Sequence, residues 1–198
     1  DCFSKRNKSY KFKIEMRKIL LILIFFFYSN NVFSEENMMM LKTKYGDVKI
    51  ELFADVAPNH VKRIKTLAEQ KKYDGVVFHR VIEGFMAQTG DVQFGNSNNE
   101  KFDLGRAGTG GSDLPDLKAE FSDTPHERGT LSMARSSDPN SGNSQFFICF
   151  ESAPHLDRNY TVFGKVVKGI EFVDMIKRGE GGSGAVSNPD KIISFKSL

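Results

Sequence analysis

Apolar and polar residues alternate over much of the chain after residue 40, as they do in strands with one buried face. The segment 41–52 alternates on both sides of a turn at Gly46 and Asp47, which predicts a β-hairpin. Short strands without a repeating strand-helix rhythm favour an antiparallel barrel or sandwich. Further runs rich in β-branched and aromatic residues predict strands at 76–82, 85–89, 129–134, 145–150, 161–167 and 192–195.

Two segments have helical spacing instead. Pro58 suits the first turn of a helix, and apolar residues recur on one face of the segment as far as residue 68. Residues 169–178 are also amphipathic, and we expect a second helix there. The polar, glycine-rich residues 92–117 predict one long ordered loop between strands.

The hairpin predicted at 76–91 carries an unusual pair of polar residues. With a three-residue loop, Arg80 lies opposite Gln88 on the paired strand. Ile82 then lies opposite Met86 on the same face. An arginine on a half-buried strand is costly to hold without a partner. An ion pair with a nearby carboxylate would be the usual explanation for an isolated arginine of this kind.

Five sequence blocks favour a different explanation for that arginine. In their order and spacing they resemble the cyclophilin family of peptidyl-prolyl cis/trans isomerases, over Met40 to Leu198. The resemblance implies a mainly β fold, a closed eight-stranded antiparallel β-barrel capped by two α-helices. It also implies an isomerase that uses no cofactor and no metal. The blocks are FHRVIEGFMAQTGD at 78–91, GTGG at 108–111, LSMAR at 131–135, NSQFFI at 143–148 and VFGKVV at 162–167.

The resemblance also assigns site residues. Arg80, Phe85 and Gln88 match the catalytic positions, with Arg80 donating to the prolyl nitrogen as the X-Pro bond twists. Such a rotation breaks amide resonance but no covalent bond, so no nucleophile is needed. The matching substrate-binding positions are Met86, Gly108, Ala134, Arg135, Gln145, Phe147, His155, Leu156 and Tyr160.

Three positions depart from the commonest pattern of the family. Arg135 stands where many members carry Asn, and Tyr160 stands where many carry His. His155 stands where many carry Trp. The substitutions at His155 and Tyr160 are similar to those of the bacterial branch of the family. Loss of the indole N–H is expected to leave only weak cyclosporin binding, while catalysis by Arg80 should persist.

The charge of the chain is unevenly distributed. The formal net charge is +3, but residues 1–34 carry seven Lys and Arg against two acids. Residues 35–198 therefore carry 21 bases and 23 acids, and a basic groove for nucleic acid is not expected.

Residues 16–34 have the pattern of a signal peptide. Met16 is the expected start, Arg17 and Lys18 form a positive region, and the ten residues 19–28 are apolar. We expect cleavage before Glu35, which leaves 35–198 as the isomerase domain and 1–15 as an upstream extension. Ten apolar residues are few for a membrane span, so an uncleaved anchor is the less favoured alternative.

The cysteines and histidines of residues 35–198 indicate neither an internal disulfide nor a metal site. Cys149 is the lone cysteine of 35–198 and lies in an apolar run, so it is expected to be a buried, unreactive residue. An exported protein without disulfides favours the periplasm. The four histidines lack metal-ligand spacing.

Two classes of function remain open. The first is an isomerase that assists the folding of proline-containing client polypeptides. The second is a module that binds proline peptides and has lost turnover. Arg80 favours the enzyme, because a binding module has little use for a donor aimed at the prolyl nitrogen. A monomer is expected, with membrane contact only if the leader is uncleaved.

Overall fold

The computed structural model describes residues 36–198, of which Asn37–Leu198 form one compact unit. The predicted signal peptide at 16–34 and the extension at 1–15 lie outside the described residues. Among the described residues, every helix is too short or too polar to cross a bilayer.

The described residues form a mainly β structure with two α-helices, as predicted. The hairpin expected at 41–52 is confirmed, and its strands pair antiparallel. The final strand begins at Ser194, two residues later than predicted. The strands are β1 (Met38–Lys42), β2 (Asp47–Leu52), β3 (Arg80–Ile82), β4 (Met86–Thr89), β5 (Thr130–Met133), β6 (Phe146–Cys149), β7 (Val162–Lys168) and β8 (Ser194–Ser197).

The eight strands form one sheet in the order β3-β4-β6-β5-β7-β2-β1-β8. The prediction of a closed barrel is wrong: the sheet is an open, curled half-barrel whose edge strands β3 and β8 do not pair with each other. Isolated contacts take the place of a ladder there. Val77 forms a single bridge with Lys191, and the Phe78 N–H donates to the Asp190 carbonyl over 2.8 Å. For the same reason the strand predicted from residue 76 begins only at Arg80.

The first helix, α1 (Pro58–Glu69), is confirmed, with Pro58 in its first turn and its apolar stripe buried. The second, α2 (Ile170–Asp174), is shorter than the predicted 169–178. Its early end has a local cause. The Arg178 guanidinium folds back and donates to the carbonyls of Asp174 and Ile176, which satisfies acceptors that a longer helix would have used.

Strands β4 and β6 have two different apolar faces. Ala87 and Ile148 are fully buried in the main core. Met86 and Phe147 point the opposite way and belong to a separate, smaller cluster on the outer face. The predicted site residues therefore lie outside the core of the half-barrel.

Candidate active site

The hairpin of β3 and β4 positions the first polar residues of the site. Its register is confirmed, with Arg80 opposite Gln88 and Ile82 opposite Met86. Gly84 in the connecting loop has φ of +68°, a conformation that glycine adopts without strain. The tight turn thus fixes Arg80 and Gln88 side by side on the outer face.

Arg80 is half-buried and makes hydrogen bonds to uncharged groups only. Nε donates to the Ser183 carbonyl over 3.1 Å, and Nη1 donates to Oε1 of Gln88 over 3.2 Å. None of the ion pairs of residues 36–198 includes Arg80. The usual structural explanation for an arginine on a strand, pairing with a carboxylate, does not hold for this residue.

A row of hydrogen bonds continues from Arg80 across the face. Nε2 of Gln88 donates to Oε1 of Gln145 over 3.0 Å, and Nε2 of Gln145 donates to the Gly110 carbonyl over 2.7 Å. The row starts at a guanidinium, which only donates, and ends at a carbonyl, which only accepts. Only one orientation of each amide satisfies every bond, so both glutamine side chains are held in a defined direction.

An apolar cluster adjoins this polar row, as the sequence predicted. Phe147 and Leu156 are almost fully buried in it, and Met86 is 1% exposed. Such a surface can accept an aliphatic ring and exclude water from it. The other members of the cluster are Cys149, Ala153, Ile82, Phe85, Ala134 and Tyr160.

His126 lies behind the cluster and was not assigned to the site from the sequence. Its ring stacks on Phe147 with centroids 6.2 Å apart and planes 16° apart. Nδ1 lies 2.8 Å from Oδ1 of Asp157, and Nε2 lies 2.9 Å from Oγ of Ser132. Burial lowers the pKa of His126 and outweighs the opposing effect of Asp157. A neutral imidazole, held through both of its ring nitrogens, therefore packs against the Phe147 ring and fixes its position.

The Ser132, His126 and Asp157 side chains form a serine-histidine-aspartate geometry that the order of residues did not predict. Ser132 is fully buried, and its Oγ also lies 3.0 Å from the Thr161 carbonyl. A buried hydroxyl cannot reach a substrate, so this triad is structural rather than nucleophilic.

Asp91 is a second residue that sequence reasoning missed. It is fully buried, and Oδ2 accepts the backbone N–H groups of Gly108 and Gly110 over 2.8 and 2.9 Å. Oδ1 accepts those of Gln93 and Phe94 over 3.0 and 2.8 Å. An aspartate after a strand, followed by a glycine-rich loop, was the available signal, because such a carboxylate often binds loop N–H groups. Asp91 therefore anchors the loop that ends the polar row.

A cavity of about 490 Å³, called the second cavity to distinguish it from the apolar cluster, lies beside the polar row. Gly108 is on its wall with φ of +101°, and a Cβ there would meet the His79 ring at 3.0 Å. Only glycine fits this position without movement of the ring. Gln88, Gln145, Ala134 and Arg135 line the same cavity.

Two of the three positions that depart from the common family pattern, Arg135 and Tyr160, contact each other, and the third, His155, packs beside Phe85. The Arg135 guanidinium lies 4.4 Å from the centroid of the Tyr160 ring. Tyr160 in turn meets Phe147 edge-on at 6.0 Å. His155 is exposed and lies 5.6 Å from Phe85, ring centroid to ring centroid.

The predicted site residues lie in the apolar cluster, in the polar row or on the wall of the second cavity, except His155, which packs beside Phe85. Cys149 is fully buried, and burial raises the pKa of its thiol to about 12, so it is unsuited to act as a nucleophile. Within residues 36–198 no group of His, Cys, Asp and Glu side chains is arranged to hold a metal ion.

A comparison with protein families matches residues 38–197 of this chain to the family described as cyclophilin type peptidyl-prolyl cis-trans isomerase/CLD. The match covers nearly all of the described residues, including the whole of the site.

Curated proteins give the same assignment. A probable peptidyl-prolyl cis-trans isomerase of Brucella suis is 60% identical over 158 residues, which cover 79% of this chain and 80% of the relative. A peptidyl-prolyl cis-trans isomerase of Helicobacter pylori is 41% identical over 144 residues, 71% of this chain and 80% of the relative.

Solved structures share the fold. A cyclophilin from Hirschia baltica is 28% identical, with a TM-score of 0.69 over 83% of this chain and 74% of that protein. A cyclophilin-type isomerase from Cryptosporidium parvum, solved in the presence of the dipeptide Ala-Pro, is 29% identical. Its TM-score is 0.69 over 81% of this chain and 98% of that protein.

Proposed function

The chain belongs to the cyclophilin-type peptidyl-prolyl cis-trans isomerases, and we propose that it rotates X-Pro bonds by means of Arg80 and the adjoining apolar pocket. The isomerase activity follows from the family and its relatives. The proposal concerns how this chain performs it. The apolar cluster holds the proline ring, and Arg80 stabilises the twisted amide.

The physical requirement for this reaction is small. Rotation of the amide meets a barrier of about 18–20 kcal/mol because resonance is lost. An acceleration of about 10⁴ needs roughly 5.5 kcal/mol of preferential binding to the transition state. In that state the nitrogen becomes pyramidal and regains a lone pair, which a directed donor binds better than the planar ground state.

The observation that carries the proposal is that Arg80 is held by neutral groups. Its bonds to the Ser183 carbonyl and to Gln88 fix the direction of the guanidinium without neutralising its charge. Charge that has already been oriented costs little reorganisation when the substrate twists. A carboxylate partner would have cancelled much of that advantage.

Gln88 and Gln145 are proposed to orient the peptide backbone next to the proline. Their amides are fixed by the polar row, so they present groups in constant positions. Orientation of the reacting bond contributes to catalysis without proton transfer. Phe85, Met86, Phe147 and Leu156 are proposed to contact the ring.

The test compares residues 35–198 with the Arg80→Ala variant in an X-Pro peptide isomerisation assay. We expect the variant to lose a factor of about 10² or more, roughly 2.7 kcal/mol of barrier lowering. Arg128→Ala is the matched control, because it removes an arginine that pairs with Asp174 instead of facing the pocket. The control should retain the activity of the parent.

Circular dichroism of all three proteins separates loss of chemistry from loss of folding. A folded parent that is inactive on several peptides would favour the alternative, a module that binds proline peptides without turnover. Full activity in Arg80→Ala would instead contradict the assigned role of the arginine.

We also propose that the protein is exported to the periplasm as a monomer and assists folding there, where slow X-Pro exchange can limit the rate. Support comes from the apolar leader pattern at 16–34 and from the absence of a second cysteine in 35–198. Cell fractionation and the N-terminal residue of the mature protein test this. A product that retains residues 16–34 in the membrane fraction would contradict cleavage.

A further inference from the structure

Arg135 is a second cation at the site, and the proposed mechanism gives its side chain no role. It lies two residues after the end of β5 and lines the second cavity, whereas its ring partner Tyr160 packs on the apolar cluster. Arg135 therefore lies between the proposed proline pocket and the second cavity. A peptide that crosses from one to the other passes its guanidinium.

The guanidinium is rigidly held. Nε and Nη2 donate to the Asn159 carbonyl over 3.3 and 3.0 Å, and Nη1 donates to the Ser136 carbonyl over 2.9 Å. A longer contact of 3.4 Å joins Nη1 to the Ser137 carbonyl. The stack on Tyr160 fixes the plane of the group. These bonds use at most four of the five N–H groups, so at least one remains for a ligand.

The positive charge of Arg135 is not neutralised by a neighbouring side chain. All of its hydrogen-bond acceptors are carbonyl oxygens, and it takes part in none of the ion pairs found among the described residues. Asp116 lines the same cavity and keeps its negative charge, with Oδ1 accepting the Asn143 amide over 2.9 Å, but it forms no ion pair with Arg135 among the described residues. Arg80, on the other side of Gln88, adds a second cation to this face.

From these contacts we infer that Arg135 is a specificity-determining residue that selects X-Pro substrates with an acidic side chain in the two residues before the proline. The inference rests on the proposed function of the pocket. It names the class of substrate that this chain favours. A carboxylate there forms a charge-assisted hydrogen bond with the Arg135 guanidinium, which is already ordered by its other hydrogen bonds before the substrate binds.

The direction of the peptide is part of the inference. The prolyl nitrogen must face the Arg80 guanidinium, and the row from Arg80 through Gln88 to Gln145 leads to the second cavity, whose lining includes Arg135. We place the residues before proline on the Arg135 side and those after it on the other side, and the peptide series tests this placement.

The test measures kcat/KM for matched peptides with Glu, Gln or Lys at each of the two positions before proline, and at the position after it. For the parent we expect Glu to exceed Lys by about fivefold to tenfold before proline, where tenfold equals about 1.4 kcal/mol. The preference should shrink as salt is raised, because the pair is open to solvent. The position after proline should show little preference.

Arg135→Gln should bring the Glu-to-Lys ratio close to one. The ratio is the readout, because a general loss of activity or stability lowers all peptides together and leaves it unchanged. Arg135→Lys should retain part of the preference. Arg158→Gln is the control for net charge, since it removes an exposed arginine that pairs with Asp123, and it should keep the ratio of the parent.

A parent ratio near one, or a ratio that survives in Arg135→Gln, would overturn the inference. A preference found only after proline would overturn the assigned direction. If the parent proves inactive on every peptide, the proposed function fails, and equilibrium binding of the same peptides then tests Arg135 by itself. Equal affinities for the Glu and Lys peptides would overturn it in that case.

Discussion

The inner and outer faces of β4 and β6 are built from alternate residues of the same two strands, yet they differ in kind. Phe146 points inwards and packs against Tyr73, Phe163 and Phe195, all of them at 1% exposure or less. Its neighbour Phe147 points outwards and meets His126 and a tyrosine at the rim. The inner contacts are apolar throughout, whereas the outer ones combine apolar packing with oriented polar groups.

Inward-pointing residues of these strands therefore contribute mainly to the stability of the fold, and the outward-pointing residues next to them contribute mainly to the proposed recognition of substrate. Burial of large aromatic side chains inside the half-barrel stabilises the fold. On the outer face Phe147 packs within the apolar cluster, opposite Gln88, whose side chain accepts a hydrogen bond from Arg80. The same substitution at two neighbouring residues should therefore mainly lower stability at the inward-pointing one and mainly lower activity at the outward-pointing one.

The largest expected effects come from Phe146→Ala and Phe147→Ala compared directly. We expect Phe146→Ala to lower the free energy of unfolding by about 3–5 kcal/mol, because it leaves a closed cavity. Phe147→Ala should cost less stability, because the ring lies in the smaller outer cluster, but kcat/KM should fall by about 10² through loss of the ring contact. Denaturant unfolding and peptide isomerisation, both at low temperature, measure the two quantities. Equal losses of stability and activity in the two variants would contradict the different roles of the two faces.

A smaller effect on the outer face concerns cyclosporin. We expect His155→Trp to tighten inhibition by at least about tenfold, because the indole adds an N–H donor and a broad apolar face beside Phe85. Isomerisation of an X-Pro peptide should change little, since the change leaves Arg80 and the polar row intact. An inhibition constant that is already tight in the parent and insensitive to the substitution would contradict this expectation.

The pH dependence of stability is the smallest expected effect. Burial lowers the pKa values of His60, His79 and His126 in the folded protein. An unfolded histidine has a pKa of about 6.5, so below that pH the unfolded state binds more protons than the folded state. The free energy of unfolding should therefore fall as the pH is lowered from 7.5 to 5. Denaturant titrations at several pH values measure it, and a flat profile over that range would be the contrary result.

Local pattern was enough to predict the hairpin that carries Arg80 and Gln88. The register of Arg80 opposite Gln88 follows from the alternation of side chains and the length of the turn, and the structure confirms it. The helix from Pro58 was equally clear, because proline and an apolar stripe agree. The roles of the residues depended on the resemblance to a family, since strand periodicity carries no information about catalysis.

Features that depend on distant contacts could not be predicted in this way. The closure of the sheet depends on which segments pair across the edge between β3 and β8, and the sequence of neither edge shows that single bridges replace a ladder. Stacking of His126 on Phe147 joins residues 21 positions apart in different strands and loops.

The most direct test of the account separates ground-state binding from turnover for Arg80. Exchange between the cis and trans forms of an X-Pro peptide, measured by NMR at equilibrium, gives the turnover rate, and titration of the same peptide gives its affinity. We expect Arg80→Ala to retain most of the affinity while exchange falls by a factor of about 10² or more, because the arginine binds the twisted amide in preference to the planar one. Affinity and exchange that fall together, or exchange that does not fall, would contradict it.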